Sequence, residues 1–398
     1  MAEIDKKIVL TGLACIHPMG KDLRTCSNNL HLDSSAVSAE AWSEQCFGEH
    51  PIGRIPDEYF GQNLKSTEKR SFDRITMVVC DTVGQCVADA GLSGQPDKLA
   101  ETGIISGSGF GCLETQDRLI QVLEEKGPAY FDPLEFPCTS HNFPISAAAI
   151  KFGLKGPITS MVAAMSAGLN ALVYSAYQIM KGQTQRMIVV AFDEITQLQY
   201  AYLKEQNYLD CATCCDPYQM PKPVYPSESC VAWMLESVQS ARQRHARIYA
   251  QLGNWRITAG KYRQIDVNAM RRGIKAAMPQ GASQSSENMV FVTNGSGFQP
   301  DDEAENTALA TLADAGVDFH QQIRMKPLIG NCLGAASLME GALLLYHRHP
   351  PQDLPEILSP EAYLFNSFGM GGNLISLSMQ YVPFAGQPKA DQPHGSVL

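Results

Sequence analysis

The chain has 398 residues, 44% of them hydrophobic, and a formal net charge of -10. That size and apolar content suit one large α/β body or about two domains, and the acidity argues against nucleic acid or an anionic membrane as partner. No apolar run reaches the roughly 18 residues of a membrane span, residues 1–7 lack a signal-peptide pattern, and the twelve cysteines follow no framework spacing, so the expectation is a cytoplasmic protein with reduced thiols.

Residues 7–12 (Lys-Ile-Val-Leu-Thr-Gly) read as a buried first strand ending at a glycine turn. Residues 25–65 show few periods and read as a surface insertion. Over 72–91 an apolar stripe through Met77, Val78, Cys80, Val83, Cys86, Val87 and Ala90 predicts a helix. A short strand at 103–106 opens into Gly107-Ser108-Gly109-Phe110-Gly111. A glycine turn alone lacks the rest of a nucleotide fingerprint, so close approach of two backbones is the favoured reading. Residues 125–145 form a Pro- and Phe-rich loop, a length that in compact domains tends to serve function.

The chain is organised around residues 156–192. An apolar run, 158–165, drives into a small-residue turn, and a helix over 166–180 follows, with Leu169, Leu172, Val173, Ala176 and Ile179 at helical spacing. Gly182 ends it, and 187–192 is continuously apolar, like a strand buried on both faces. Residues at such a turn meet the free N–H groups of a helix start, which favour negative charge. A cysteine there would be a strong nucleophile; this chain has Met165.

The segment 204–227 is polar and holds Cys211, Cys214 and Cys215, but with no second CxxC or paired His nearby these read as free thiols. No metal and no cofactor is expected. Residues 230–237 and 246–255 read as a strand pair joined by a basic turn, followed by a helix at 267–277 and a polar linker at 278–288. A strand at 289–293 ends on Asn294-Gly295-Ser296-Gly297, and a helix spans about 302–315. Residues 324–330 lead to a small-residue helix at 334–346; a strand at 363–368 enters Gly369-Met370-Gly371-Gly372-Asn373, and 374–382 closes the order before a loose tail. Both halves repeat a strand–turn–helix rhythm, which points to an internal duplication in an α/β layered fold.

The islands Val9-Leu10-Thr11-Gly12, Ala88-Asp89-Ala90-Gly91-Leu92 and the last glycine motif agree in order and spacing with one family. Over nearly its whole length the chain resembles the elongating β-ketoacyl-acyl carrier protein synthases. The resemblance implies an α/β thiolase-like fold, five layers α-β-α-β-α from two similar halves, and obligate dimers. The halves are expected at 1–245 and 246–384, with a loose tail at 385–398.

The family's nucleophilic Cys lies in a turn that here reads Ala163-Ala164-Met165-Ser166-Ala167-Gly168, so Met165 takes its place. The first His opens a motif that here is Asn294-Gly295-Ser296-Gly297-Phe298, so Asn294 replaces it, while the acidic Glu305 is kept. The second His falls in Lys326-Pro327-Leu328-Ile329-Gly330-Asn331-Cys332-Leu333-Gly334-Ala335-Ala336; Lys326 is kept and Asn331 replaces the His. The gate motif survives around Phe368, Gly369, Gly371 and Gly372. A Met thioether cannot be acylated, and Asn cannot carry a proton as imidazolium does. The chain is therefore not expected to perform Claisen condensation alone.

Such a chain resembles the chain-length factors of type II polyketide and polyene systems, inactive subunits that pair with an active ketosynthase and shape the acyl tunnel. Many of those carry Gln at the Cys position; this chain carries Met165. The resemblance makes Phe110 a candidate for the acyl-pocket lining, with ordinary core filling as the alternative. It sets Glu135 and Phe136 in the segment that reaches across the dimer, where Glu135 meets a polar group of the partner or faces solvent. Lys326 and Glu305 are expected to survive as an ion pair supporting their two loops. The implied partners are an active ketosynthase and, mainly through it, an acidic acyl carrier protein, since this chain is itself acidic. Two alternatives stand beside this. One is an enzyme with altered chemistry, a decarboxylase or an acyltransferase using Ser166; the other is a homodimeric acyl-binding scaffold.

Overall fold

Two sets of five strands follow one another along the chain. The first set is β1 (Ile8–Ile16), β2 (Thr102–Ser108), β3 (Ile158–Val162), β4 (Arg186–Asp193) and β5 (Ser229–Ser237); the second is β6 (Ala250–Ala259), β7 (Met289–Val292), β8 (Gln321–Ile323), β9 (Ala362–Phe368) and β10 (Asn373–Gln380). The computed structural model describes residues 7–30, 46–47, 50–209, 224–261, 265–279, 289–319, 321–346 and 362–381.

The strands lie in one sheet in the order β8-β7-β9-β10-β6-β1-β5-β4-β2-β3. Each set has the same internal order. β3, β2 and β4 run parallel, and β5 is antiparallel to both β4 and β1. β8, β7 and β9 likewise run parallel, and β10 is antiparallel to β9 and β6. The two sets join only where Val9 faces Gln251 and Leu10 faces Ala250.

Alternation along each strand assigns side chains to layers. In β4, Ile188, Val190 and Phe192 pack outward against α1 (Arg74–Asp89) and its neighbours, while Met187, Val189 and Ala191 face the centre. Both faces are buried, so the strand reads as an unbroken apolar run. The central layer is built on α4 (Ala167–Met180) and α8 (Ala336–Tyr346), between the two halves of the sheet. On the far side, α6 (Val267–Ala277) and α7 (Gln299–Asp314) cover β7, β9 and β10. The result is a five-layer, thiolase-like α-β-α-β-α arrangement.

Several expectations need correction. Strands 229–237 and 250–259 do not pair with each other; β1 lies between them, and a short helix, Val238–Gln243, makes the connection. Part of the supposed surface insertion is core, because Ile52, Ile55, Phe60 and Leu64 are buried. The 125–145 loop is shorter than read: α2 (Leu113–Lys126) runs into it and α3 (Phe143–Phe152) ends it, with 3₁₀ turns at Pro128–Tyr130 and Phe136–Thr139 between. A further unread helix, α5 (Gln197–Glu205), is fixed by a capping box in which Thr196 Oγ accepts from Gln199 N. All but the first two residues of the expected linker at 278–288, the loose tail at 385–398, and Cys211, Cys214 and Cys215 lie outside the described residues. Among the described residues, no helix is long and apolar enough to cross a membrane and no metal-binding cluster occurs.

The close-approach reading of the turn at 107–111 holds at Gly107, and the same is found at Gly168. A Cβ at Gly107 would sit 2.4 Å from the Ala167 carbonyl oxygen, and one at Gly168 would sit 2.8 Å from that of Gly334. Both obstacles are backbone and cannot rotate away. Gly168→Ala should therefore cost about 1–3 kcal/mol, as overpacking typically does. Denaturant unfolding of the variant checks this; an unchanged midpoint would mean that the α4–α8 contact yields freely.

Candidate functional site

The C-terminal ends of β2, β3 and β4 meet a second turn delivered by the other half of the chain. After β3 the backbone passes through a 3₁₀ turn, Ala164–Ser166, into α4. Leu333–Ala335 makes the matching turn before α8. Ala164 and Leu333, neither a glycine, both take left-handed backbone, with φ of 48° and 51°. Such conformations cost energy and persist where surroundings enforce them. The surroundings here are Asp193. Its carboxylate accepts from Ser108 Oγ (2.9 Å), Gly109 N (2.9 Å), Phe110 N (3.2 Å) and, across the halves, Gly334 N (2.8 Å).

Met165 is 8% exposed and sits in an apolar cluster with Ile52, Ile195, Tyr200, Leu203 and Leu333. Phe110, Tyr202 and Met370 pack against that cluster. Phe110 stacks edge-on to Tyr202 at 5.9 Å, and the Tyr202 hydroxyl donates to the Met370 sulfur at 3.3 Å. Met165 and Phe110 thus belong to the same apolar neighbourhood. Ser367 Oγ donates to the Met165 carbonyl at 3.2 Å, tying the turn to β9.

Ser166, the alternative acyl acceptor, is fully buried. Its hydroxyl donates to the Ala163 carbonyl (3.1 Å) and accepts from Asn170 Nδ2 (3.1 Å) and Asn373 Nδ2 (3.0 Å). None of those partners is a base, so nothing among them takes its proton.

Asn331 is buried, and its Oδ1 accepts from Leu333 N at 3.1 Å, so the side chain stabilises the turn that presents Leu333 to Met165. Its backbone N donates to Tyr225 O (2.7 Å), and its carbonyl accepts from Ser227 N (3.0 Å). The imidazole beside this loop is one sequence reading passed over. His17 Nε2 lies 2.9 Å from the Ile329 carbonyl and 3.1 Å from Ser227 Oγ, and burial pushes its pKa down to about 4. It serves as a neutral structural link.

Asn294 is buried at the end of β7. Its N–H donates to Glu305 Oε1 at 3.1 Å and its carbonyl accepts from Lys326 Nζ. The expected Lys326–Glu305 ion pair does not form. Lys326 Nζ pairs instead with Glu340 of α8 at 2.9 Å, because Glu305 is already used. Its oxygens accept from Asn294 N, from Gly295 N (3.4 Å) and from Asn366 Nδ2 (2.7 Å). Both residues still support the loops, through separate contacts that meet at Asn294.

The gate motif follows Phe368, which is buried. A Cβ on Gly369 would meet Ser166 Oγ at 3.2 Å, a tight contact, whereas Gly372, with φ 79° and the Lys261 carbonyl oxygen 2.5 Å from such a Cβ, needs a glycine. A Cβ on Gly371 would meet nothing within 4 Å, so packing offers no reason for it. Glu135 and Phe136 lie on the surface away from Met165's cluster. Glu135 pairs with Arg118 of its own chain. Phe136 is 61% exposed.

Asp193 also escaped sequence reading. The signal was present: a charged pair, Asp193-Glu194, closes an otherwise apolar strand.

The family model "Beta-ketoacyl synthase, N-terminal domain" matches residues 5–241, more than half of the chain. The chain belongs to the beta-ketoacyl synthase family. It is 24% identical over 348 residues to "3-oxoacyl-[acyl-carrier-protein] synthase 2" of Staphylococcus aureus (strain COL), covering 84% of each chain. Among solved structures it is similar to a chain of "type II PKS acyl-carrier protein in complex with its ketosynthase bound to the hexaketide", with a TM-score of 0.77 and 21% identity over 94% of this chain and 99% of that one. It is also similar to "The ishigamide ketosynthase/chain length factor", with a TM-score of 0.76 and 18% identity over 95% and 99%. At such identities the two structures establish the fold alone.

Burial raises the Glu305 carboxyl to about 7, against hydrogen bonds from Asn366 and Asn294 that pull it down. A carboxyl raised on folding favours the fold while protonated, and that contribution is lost as pH climbs from its unfolded value near 4.5 through about 7. The melting temperature of the wild type should fall over that window, and Glu305→Gln, which stays neutral, should fall less. Thermal melts at pH 5 and pH 8 check this; parallel declines in the two proteins would refute it.

Proposed function

We propose that this chain is the non-catalytic, chain-length-determining subunit of a ketosynthase heterodimer in the cytoplasm. It would pair with an active β-ketoacyl-acyl carrier protein synthase during polyketide, aryl-polyene or fatty-acid-like chain elongation. The observation that carries the proposal is Met165: the residue at the nucleophile's turn is a thioether, wrapped in an apolar cluster with Phe110 and Leu333. Condensation stores the growing chain as a thioester, which requires a thiolate. Asn294 and Asn331, at the two histidine positions, have no titrating group to activate a malonyl thioester. The halves 1–245 and 246–384 are retained in this reading as one scaffold.

Two surface features support pairing. β3 is the end strand of the sheet, and its Ile158 and Val162 are 45% and 47% exposed. An open edge with apolar side chains is a template for another chain. Beside it in sequence, Tyr130, Leu134 and Phe136 are exposed on the segment that the family uses across its dimer. The chain's net charge of -10 favours acyl carrier protein docking mainly on the active partner.

The test is co-expression with a cognate ketosynthase, native mass spectrometry and a malonyl-carrier condensation assay. A one-to-one complex is expected, losing activity when the partner's cysteine is replaced and keeping it when Met165 is. Phe110→Ala should open space beside Met165 and lengthen the products. A homodimer that turns over acyl substrate alone would overturn the proposal and make Ser166 the residue to replace next.

A further inference from the structure

At the opposite end of β4 from Asp193 lies a cleft of about 360 Å³ lined by Lys98, Glu101, Gln185, Arg186, Gln239, Ser240, Gln243 and Arg244. β4 runs from Arg186 to Asp193, and seven strand steps at ~3.3 Å separate the two ends by about 23 Å. The cleft is therefore remote from Met165 and its cluster.

Its charge is unbalanced. The side chains of Arg186 and Arg244 are 5% and 8% exposed, and they share one fully buried carboxylate, Glu236. Arg244 Nε and Nη2 both reach Glu236, and Nη1 donates to the Ala90 carbonyl. A guanidinium has five N–H donors, so each Nη of Arg244 keeps one beyond these contacts. The remaining counter-charge is Glu101, which holds Arg186 Nη2 at 3.1 Å but is 71% exposed. A solvent-screened contact of that kind contributes little and yields readily to a competing anion. Lys98, whose carbonyl accepts from Arg186 Nη2 at 3.2 Å, is the third cationic residue of the lining, and Gln239 and Gln243 are neutral members of it.

We propose that this cleft binds the phosphate group of a small hydrophilic molecule. A tetrahedral dianion has enough oxygens and charge to engage the Arg244 fork, the Lys98 ammonium and an amide together. No aromatic or aliphatic side chain lines the cleft, so the space beyond the phosphate suits hydroxyls rather than a base or an acyl chain. The proposal does not depend on the chain-length reading.

The experiment is isothermal titration of the full chain with inorganic phosphate and, separately, glycerol 3-phosphate at fixed ionic strength. Saturable binding of one ligand per chain is expected. Lys98→Glu and Gln243→Glu should each weaken it by about tenfold or more, by the charge they add beside the anion, and Glu101→Gln should strengthen it by removing the competitor. All three positions lie outside the buried triad, and equal melting temperatures in phosphate-free buffer confirm intact folding. Tighter binding of the ester than of phosphate identifies a phosphomonoester as the ligand, and equal binding identifies free phosphate. No saturable heat with either, or wild-type affinity in both charge-reversal variants, overturns the proposal.

Discussion

The centre of the molecule depends on one buried carboxylate. Asp193 ends β4 and binds N–H groups from two turns that belong to different halves of the chain. Burying a carboxylate is costly, and burial raises its pKa to about 7 against the pull of those hydrogen bonds. The cost is offset because the alternative is worse. Without the carboxylate, Ser108 Oγ and the N–H groups of Gly109, Phe110 and Gly334 would be left without that partner in a dry junction. The left-handed residues Ala164 and Leu333 sit in the turns it holds together. The glycines 107, 168 and 334 let the backbones come close enough for it to reach.

From that junction the support spreads in two directions. Glu305 fastens the Asn294 turn to Asn366 of β9, whose Oδ1 in turn accepts from Ser376 on β10. Lys326 fastens the Asn294 carbonyl to Glu340 on the central helix. These polar groups are buried and mutually satisfied, which makes removing any single member expensive. That is a physical reason for Lys326 and Glu305 to persist in a chain whose neighbouring positions carry no imidazole: their contacts hold loops in place whatever chemistry the loops perform.

Much of the fold was legible in the sequence because its main strands and central helices are buried on both sides. β4 and α4 carry long apolar patterns with glycine or small-residue ends, and such patterns survive any change of context. What was missed has two causes. α2 buries only Thr115 and Leu119, so it carries almost no stripe, and the helix stands on local propensity and a few contacts. β1 interposes itself between β5 and β6, an arrangement set by long-range pairing that adjacent strands in sequence do not announce. At the site, the residue types at 165, 294 and 331 were readable from motifs. The cluster around Met165, assembled from Ile52, Ile195, Leu203 and Leu333, comes from three distant segments and had no sequence signal.

On the proposed assignment, the three replacements make electrostatic sense as a set. A thiolate at a helix N-terminus is stabilised by the helix dipole and by nearby cations. Replace it with an uncharged thioether, and a buried imidazole beside it has no anion to face and stays neutral, as His17 does with its pKa lowered to about 4. Asparagine keeps hydrogen-bonding capacity at such a position, and Asn331 uses its capacity on Leu333 N. The packing beside Met165 is apolar, from Leu333 in the same cluster and from Phe110, Tyr202 and Met370 against it. On that assignment, a thioether at the turn and apolar packing beside it belong together, a site suited to apolar contact in place of one suited to an anion.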